Sequence, residues 1–109
     1  MINIVVTNGT FGIEQVEIKG HSGYAKSGKD IVCSAVSAIT QTALLGLIEV
    51  STQKVDYTKN DEKGYLNFFV PPHLDEIEKI KQQTILESMI IGLRDIQKGF
   101  SAFVKVEVK

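Results

Sequence analysis

The sequence predicts an α+β fold: a single-layer, mostly antiparallel β-sheet with two long helices packed on one face, in the order β-β-α-β-β-α-β. Three observations carry this prediction. Apolar and polar residues alternate near both ends of the chain, as in half-buried strands. Two long internal stretches repeat their apolar residues at three and four instead, the helical period. Asn8-Gly9, a glycine-containing segment over 20–30 and Pro71-Pro72 punctuate the chain between them.

Ile2, Ile4 and Val6 share one side of a first strand, opposite Asn3, Val5 and Thr7, and Asn8-Gly9 turns the chain. The return strand sets Val16 and Ile18 against Glu17 and Lys19, with an irregular start at Phe11, Gly12 and Ile13. Asp30 is placed to cap a helix running from Ile31 to about Val50, with a stripe of Val32, Val36, Ile39, Ala43, Leu47 and Val50. Leu44, Leu45 and Ile48 widen that stripe, so a largely buried helix is expected. Val55 to Thr58 and Tyr65 to Val70 form a second hairpin around the loop from Lys59 to Gly64. Pro71-Pro72 ends it, because proline cannot sit inside a central ladder. A second helix is expected from about Leu74 to Lys98, with a stripe of Leu74, Ile77, Ile80, Thr84, Met89, Leu93 and Ile96, and Gly99 as its terminator. Val104, Val106 and Val108 alternate in the last strand. With both helices on one face, Val5, Tyr65 and Phe69 are left on the other, which favours a symmetric homodimer, with cover by long loops as the alternative.

Composition narrows the function. The 109 residues suit one domain, 1–109. With 12 basic and 13 acidic residues the net charge is −1, which argues against a phosphate-tracking surface over the whole fold and hence against direct nucleic-acid binding. A single cysteine cannot form an internal disulfide, the amino terminus has no basic leader, and no apolar run of membrane-spanning length is free of polar interruption. A cytoplasmic protein without a membrane partner is expected.

That cysteine decides the chemistry. Cys33 falls in the first turn of the first helix, where unsatisfied amides and the positive helix end favour thiolate over thiol. His21 stands at the far end of the loop 22–29, close enough for a glycine-containing turn to fold its imidazole back as a base. Helix-start amides, that of Cys33 included, are candidate oxyanion donors. Asp30 is a helix cap, a catalytic auxiliary that orients His21 or binds the substrate backbone, or both. Gly20, Ser22, Gly23, Tyr24 and Gly28 are candidates for a substrate-binding loop or lid, and Ser37, one turn from Cys33, for the site wall. The spacing of His21, Asp30 and Cys33 matches no common zinc pattern, and no cofactor is called for. The residues by themselves leave an inert, packed Cys33 open.

The run His21-Ser22-Gly23-Tyr24-Ala25, then Gly28-Lys29-Asp30-Ile31-Val32-Cys33 and Ala35-Val36-Ser37, resembles the bacterial ribosomal-processing cysteine protease family, often called Prp. Chain length and the order of elements are similar across nearly the whole sequence. Ser34 departs from the alanine associated with the position after the nucleophile. The resemblance implies Cys33 as nucleophile, His21 as its base and Asp30 as a motif residue. It also implies a homodimeric endopeptidase that removes an amino-terminal extension, ending in a hydrophobic, phenylalanine-rich segment, from large-subunit ribosomal protein L27. Two other classes compete: a non-catalytic ribosome-associated binding or assembly module, and a small thiol hydrolase acting on non-peptide esters.

Overall fold

The alternation at the amino terminus becomes β1 (Ile2–Gly9), with Ile2, Ile4 and Val6 buried, and it pairs antiparallel with β2 (Gly12–Lys19). The expected irregularity is a bulge: Thr7 pairs with Gln15 and Asn8 with Ile13, so Glu14 is the extra residue. The Gln83 side chain satisfies the backbone there, accepting from Ile13 N at 2.8 Å and donating to Ile13 O at 3.2 Å. The computed structural model describes residues 1–26 and 29–109, and within them five strands form one sheet in the order β3-β4-β2-β1-β5. Here β3 is Tyr57–Asn60, β4 is Tyr65–Phe69 and β5 is Val104–Val108. Every pairing is antiparallel except β1 with β5.

Helix α1 (Ile31–Val50) and helix α2 (Glu76–Gly99) pack on one face of the sheet and against each other. Close helix approach uses small residues: a Cβ at Gly46 would meet Ile85 at 3.3 Å, and one at Gly92 would meet Ile39 at 3.2 Å. The core joins Ile4, Val6, Val16 and Phe68 of the sheet to Val32, Val36, Leu44 and Leu47 of α1 and Leu86, Met89 and Leu93 of α2. By length and composition α1 is apolar enough to cross a membrane, although Ser34, Ser37, Thr40 and Gln41 interrupt its apolar run as expected. Its Val32-Val36-Leu47 side nonetheless lies in the core, as in a core helix of a folded domain.

Several boundaries and faces differ from expectation. Strand β3 starts at Tyr57 and keeps Lys59 and Asn60 in the ladder, so the turn spans only residues 61–64. Gly99 is the last residue of α2, and the chain leaves at Phe100 without a left-handed glycine cap. Leu45 and Ile48 of α1 are exposed rather than part of a wider buried stripe. Helix α2 starts at Glu76 rather than Leu74, and its first half turns Glu78 and Gln82 inward and Ile77 and Ile80 outward, reversing the expected stripe; Leu74, before the helix, is exposed too. The cause is the connection after α1. Glu78 accepts from Thr52 Oγ1 at 2.7 Å, and Gln82 donates to Ser51 Oγ at 3.0 Å, so the inward polar groups satisfy a loop that apolar side chains would leave unpaired.

The open face of the sheet is also more polar than expected. Gln15 donates to Asn67 at 2.8 Å and the Tyr65 hydroxyl to Glu17 at 3.1 Å. Burial, then the hydrogen bond and charge of Glu17, raise the Tyr65 pKa. Of the three apolar residues expected on that face, only Phe69 is strongly exposed, at 47%.

Candidate active site

One end of the sheet meets the start of α1, and Asp30 organises the junction. Its Oδ1 accepts the amides of Val32 and Cys33, each at 3.0 Å, the cap geometry expected from sequence. Its Oδ2 accepts from Ser22 Oγ and, at 3.2 Å, from Ala25 N. Ser22 Oγ in turn accepts from Tyr24 N at 3.1 Å. Asp30 and Ser22 are buried, at 6% and 3% exposure. Burial by itself would raise the Asp30 pKa, but hydrogen bonds from Ser22 and the amides of Cys33, Ala25 and Val32 outweigh it. Together they hold the carboxyl at about 2, below its ordinary 3.8.

This latch places the loop backbone on the thiol. Cys33, half-buried, accepts a hydrogen bond on Sγ from the Ser22 amide at 3.3 Å. The sulfur thus has a backbone donor beside it, where charge gathers on a cysteine acting as nucleophile. His21, the adjacent residue, is exposed, and its Nε2 lies 3.0 Å from the carbonyl oxygen of Glu62 on the β3–β4 turn. No hydrogen bond joins His21 to Cys33 in this state, yet both line one cleft of about 500 Å³. Ile2, Ile18, Val36 and Leu66 give that cleft an apolar floor.

The structure sorts the remaining sequence-predicted residues. Gly20, Gly23 and Ser37 line the cleft with His21, Asp30 and Cys33. Ser22 is not on its wall: its hydroxyl is spent on Asp30 and its amide on the sulfur. Tyr24 stacks edge-on against Phe100 and Phe103, with ring centres 5.6 and 5.3 Å away, rather than over the thiol. Gly28 lies outside the described residues. The Cys33 amide is occupied by Asp30, so it is not a free oxyanion donor, and among the described residues the groups on the Asp30 carboxylate are loop and helix-start donors, so Asp30 does not orient His21. Sequence reasoning missed the opposite wall, where Lys59, Asp61, Glu62 and Gly64 come from the second hairpin. Lys59 reaches Gln41 of α1 at 3.1 Å across it. Only the glycine in that turn marked it in sequence, and nothing there says which loop it faces.

A thiol with a backbone donor on its sulfur and an imidazole in the same cleft suits nucleophilic attack on a carbonyl carbon. Residues 1–105 match the family model "Cysteine protease Prp". The ribosomal processing cysteine protease Prp of Bacillus subtilis is 30% identical over 95 residues, covering 87% of this chain and 85% of that protein. The protein of the same name from Staphylococcus aureus is 25% identical over 111 residues and the whole of both chains. The crystal structure of an essential ribosomal processing protease Prp from S. aureus with a covalently linked product peptide superposes with a TM-score of 0.86 at 23% identity, over the whole of both chains. SMU.848 from Streptococcus mutans gives 0.81 at 24% identity, over 99% of this chain and 93% of that one. These superpositions show the shared fold. The chain belongs to the Prp family of ribosomal-processing cysteine proteases.

Proposed function

We propose that Cys33 and His21 are the nucleophile and base of an endopeptidase that removes the amino-terminal extension of large-subunit ribosomal protein L27. The observation that carries this reading is the Ser22 amide on Cys33 Sγ, at the rim of a cleft that His21 shares. The ribosomal substrate is supported by the names of the Bacillus and Staphylococcus relatives. In this mechanism the thiolate attacks the scissile carbonyl, and the imidazolium gives its proton to the departing amine. Water then releases the acyl-enzyme, with His21 acting again as base. The cleft's apolar floor suits a hydrophobic side chain beside the scissile bond. With a ribosomal protein precursor as substrate, this reading takes the enzyme as cytoplasmic and the precursor, rather than nucleic acid or membrane, as its direct partner.

The test is the intact mass of L27 bearing its native extension after incubation with wild type and with Cys33→Ala. Wild type is expected to remove one defined amino-terminal peptide, at least about a thousandfold faster than the variant. An unchanged substrate mass with folded wild type would overturn the reading in favour of a binding module.

The same reading includes a homodimer. Its support lies on the helices rather than on the sheet face: Leu45 and Ile48 on α1, and Ile77, Ile80 and Ile91 on α2, are exposed apolar residues that a second copy would cover. Sedimentation equilibrium should return twice 12.0 kDa.

A further inference from the structure

We propose that the backbone carbonyl of Glu62 orients His21, holding it as the Nε2–H tautomer so that Nδ1 is the atom that takes the Cys33 proton. The inference rests on the reading of His21 as base and Cys33 as nucleophile. A carbonyl oxygen only accepts, so the 3.0 Å contact from His21 is a hydrogen bond only if Nε2 carries the proton. Neutral imidazole has one N–H, which leaves the lone pair on Nδ1. The side chain that sequence offered for this task is committed elsewhere, since both Asp30 oxygens are taken by Ser22, Ala25, Val32 and Cys33.

The turn is built to keep that carbonyl in place. Gly64 O accepts from Gly20 N at 2.8 Å, so the hairpin bonds two consecutive residues, 20 and 21, one through each carbonyl. Within the turn, Gly64 N donates to Asp61 O at 3.2 Å and Lys63 N to Asn60 Oδ1 at 3.1 Å. Gly64 has φ +59, and a Cβ there would stand 2.5 Å from Gly20 O and 3.0 Å from His21 Cε1. Glycine is therefore required on two counts, a left-handed backbone and the Gly20 carbonyl too close for any Cβ, and its bare Cα lets the His21 ring lie against the turn.

The S–H bond of Cys33 breaks as an N–H bond forms at Nδ1, giving thiolate and imidazolium. The new positive charge strengthens the Nε2–H bond to Glu62, because charge-assisted hydrogen bonds exceed neutral ones. When the scissile C–N bond breaks, the Nδ1 proton passes to the amine nitrogen and the ring returns to neutral Nε2–H. Glu62 is thus a positioning residue through its main chain, whatever its side chain.

The experiment replaces Lys63 by its α-hydroxy acid in a semisynthetic full-length chain, which turns the Glu62 carbonyl into an ester, a weaker acceptor. This also removes the Lys63 N–H, so Asn60→Ala, which loses the partner of that N–H, is the control. Two readouts apply: the ring ¹⁵N shifts of His21, which report the tautomer, and the rate of Cys33 alkylation by iodoacetamide across pH. Wild type should hold the proton on Nε2. The ester should raise the Nδ1–H population and slow alkylation by roughly threefold to tenfold, the range set by one net hydrogen bond. Asn60→Ala should stay within about twofold of wild type on both. A wild-type Nδ1–H tautomer, or an ester chain matching the control in tautomer and rate, would overturn the proposal. Failure of the protease reading is separable, because the ring shifts decide the role of Glu62 even in a chain that cleaves nothing.

Discussion

Helices α1 and α2 both begin on an aspartate whose carboxylate accepts the amide of the third helical residue, Cys33 in one case and Glu78 in the other. At α1 the cap itself is buried, and its second oxygen ties down the loop that carries His21 and Ser22. At α2 the third residue is the buried acid. Glu78 accepts from the Thr52 hydroxyl and amide and from Leu74 N, which fastens the exit of α1 to the start of α2. The Thr52 hydroxyl lowers the Glu78 pKa most, against burial and the nearby Asp75, with the Thr52 and Leu74 amides adding to the lowering. One cap motif therefore serves two ends. Where the third side chain is a thiol facing a cleft, the cap aligns that thiol; where it is a carboxylate facing a loop, it aligns a joint.

The comparison breaks if the two acids are interchangeable. Asp30→Ala should slow Cys33 alkylation by at least about tenfold, because it frees Ser22 and with it the donor on sulfur. Glu78→Ala should leave alkylation within about twofold yet lower Tm by roughly 5–10 °C, since Thr52 and Leu74 lose a buried acceptor. Equal effects of both variants on alkylation would show that the two joints are not separate.

Acid sharpens it further. The folded Asp30 carboxyl, at about 2, titrates below its ordinary 3.8. Its contribution to stability is therefore fully present above that ordinary value and is lost as pH falls through the folded one. Urea unfolding of wild type and Asp30→Asn should differ most above about pH 4 and converge towards pH 2. A gap that persists undiminished at pH 2 would mean that the carboxylate charge is not what matters.

The smallest effect is expected from Ser22→Ala. It keeps the amide that donates to Cys33 Sγ and loses only the hydroxyl bonded to Asp30, so alkylation should slow by roughly twofold to fivefold. A rate unchanged from wild type would detach the hydroxyl from the site.

Local pattern was enough for the elements that satisfy themselves locally. The alternation of Ile2, Ile4 and Val6 and the span Ile31–Val50 are both as read, because strand facing and helix length follow from side-chain period and from Asp30 as cap. The same pattern misread the first half of α2. There the inward face is set by what the loop around Ser51 and Thr52 must have satisfied, and Glu78 and Gln82 do that while Ile77 and Ile80 cannot. The site divided in the same manner. His21, Asp30 and Cys33 lie within thirteen consecutive residues, so their nearness was visible in the chain.

By itself, then, the sequence determined the α+β class, the order of strands and helices along the chain, the capped thiol and the membership of its loop in a recognisable motif. Tertiary structure alone decided that β1 pairs with both β2 and β5, that the Ser22 amide rather than an imidazole touches the sulfur, and that the β3–β4 turn supplies the wall holding His21. The physical reason is range. A cap or an alternating strand is an interaction between near neighbours, whereas the Glu62 carbonyl and the His21 ring are forty-one residues apart. They meet only because β2 and β4 pair and bring Gly20 against Gly64.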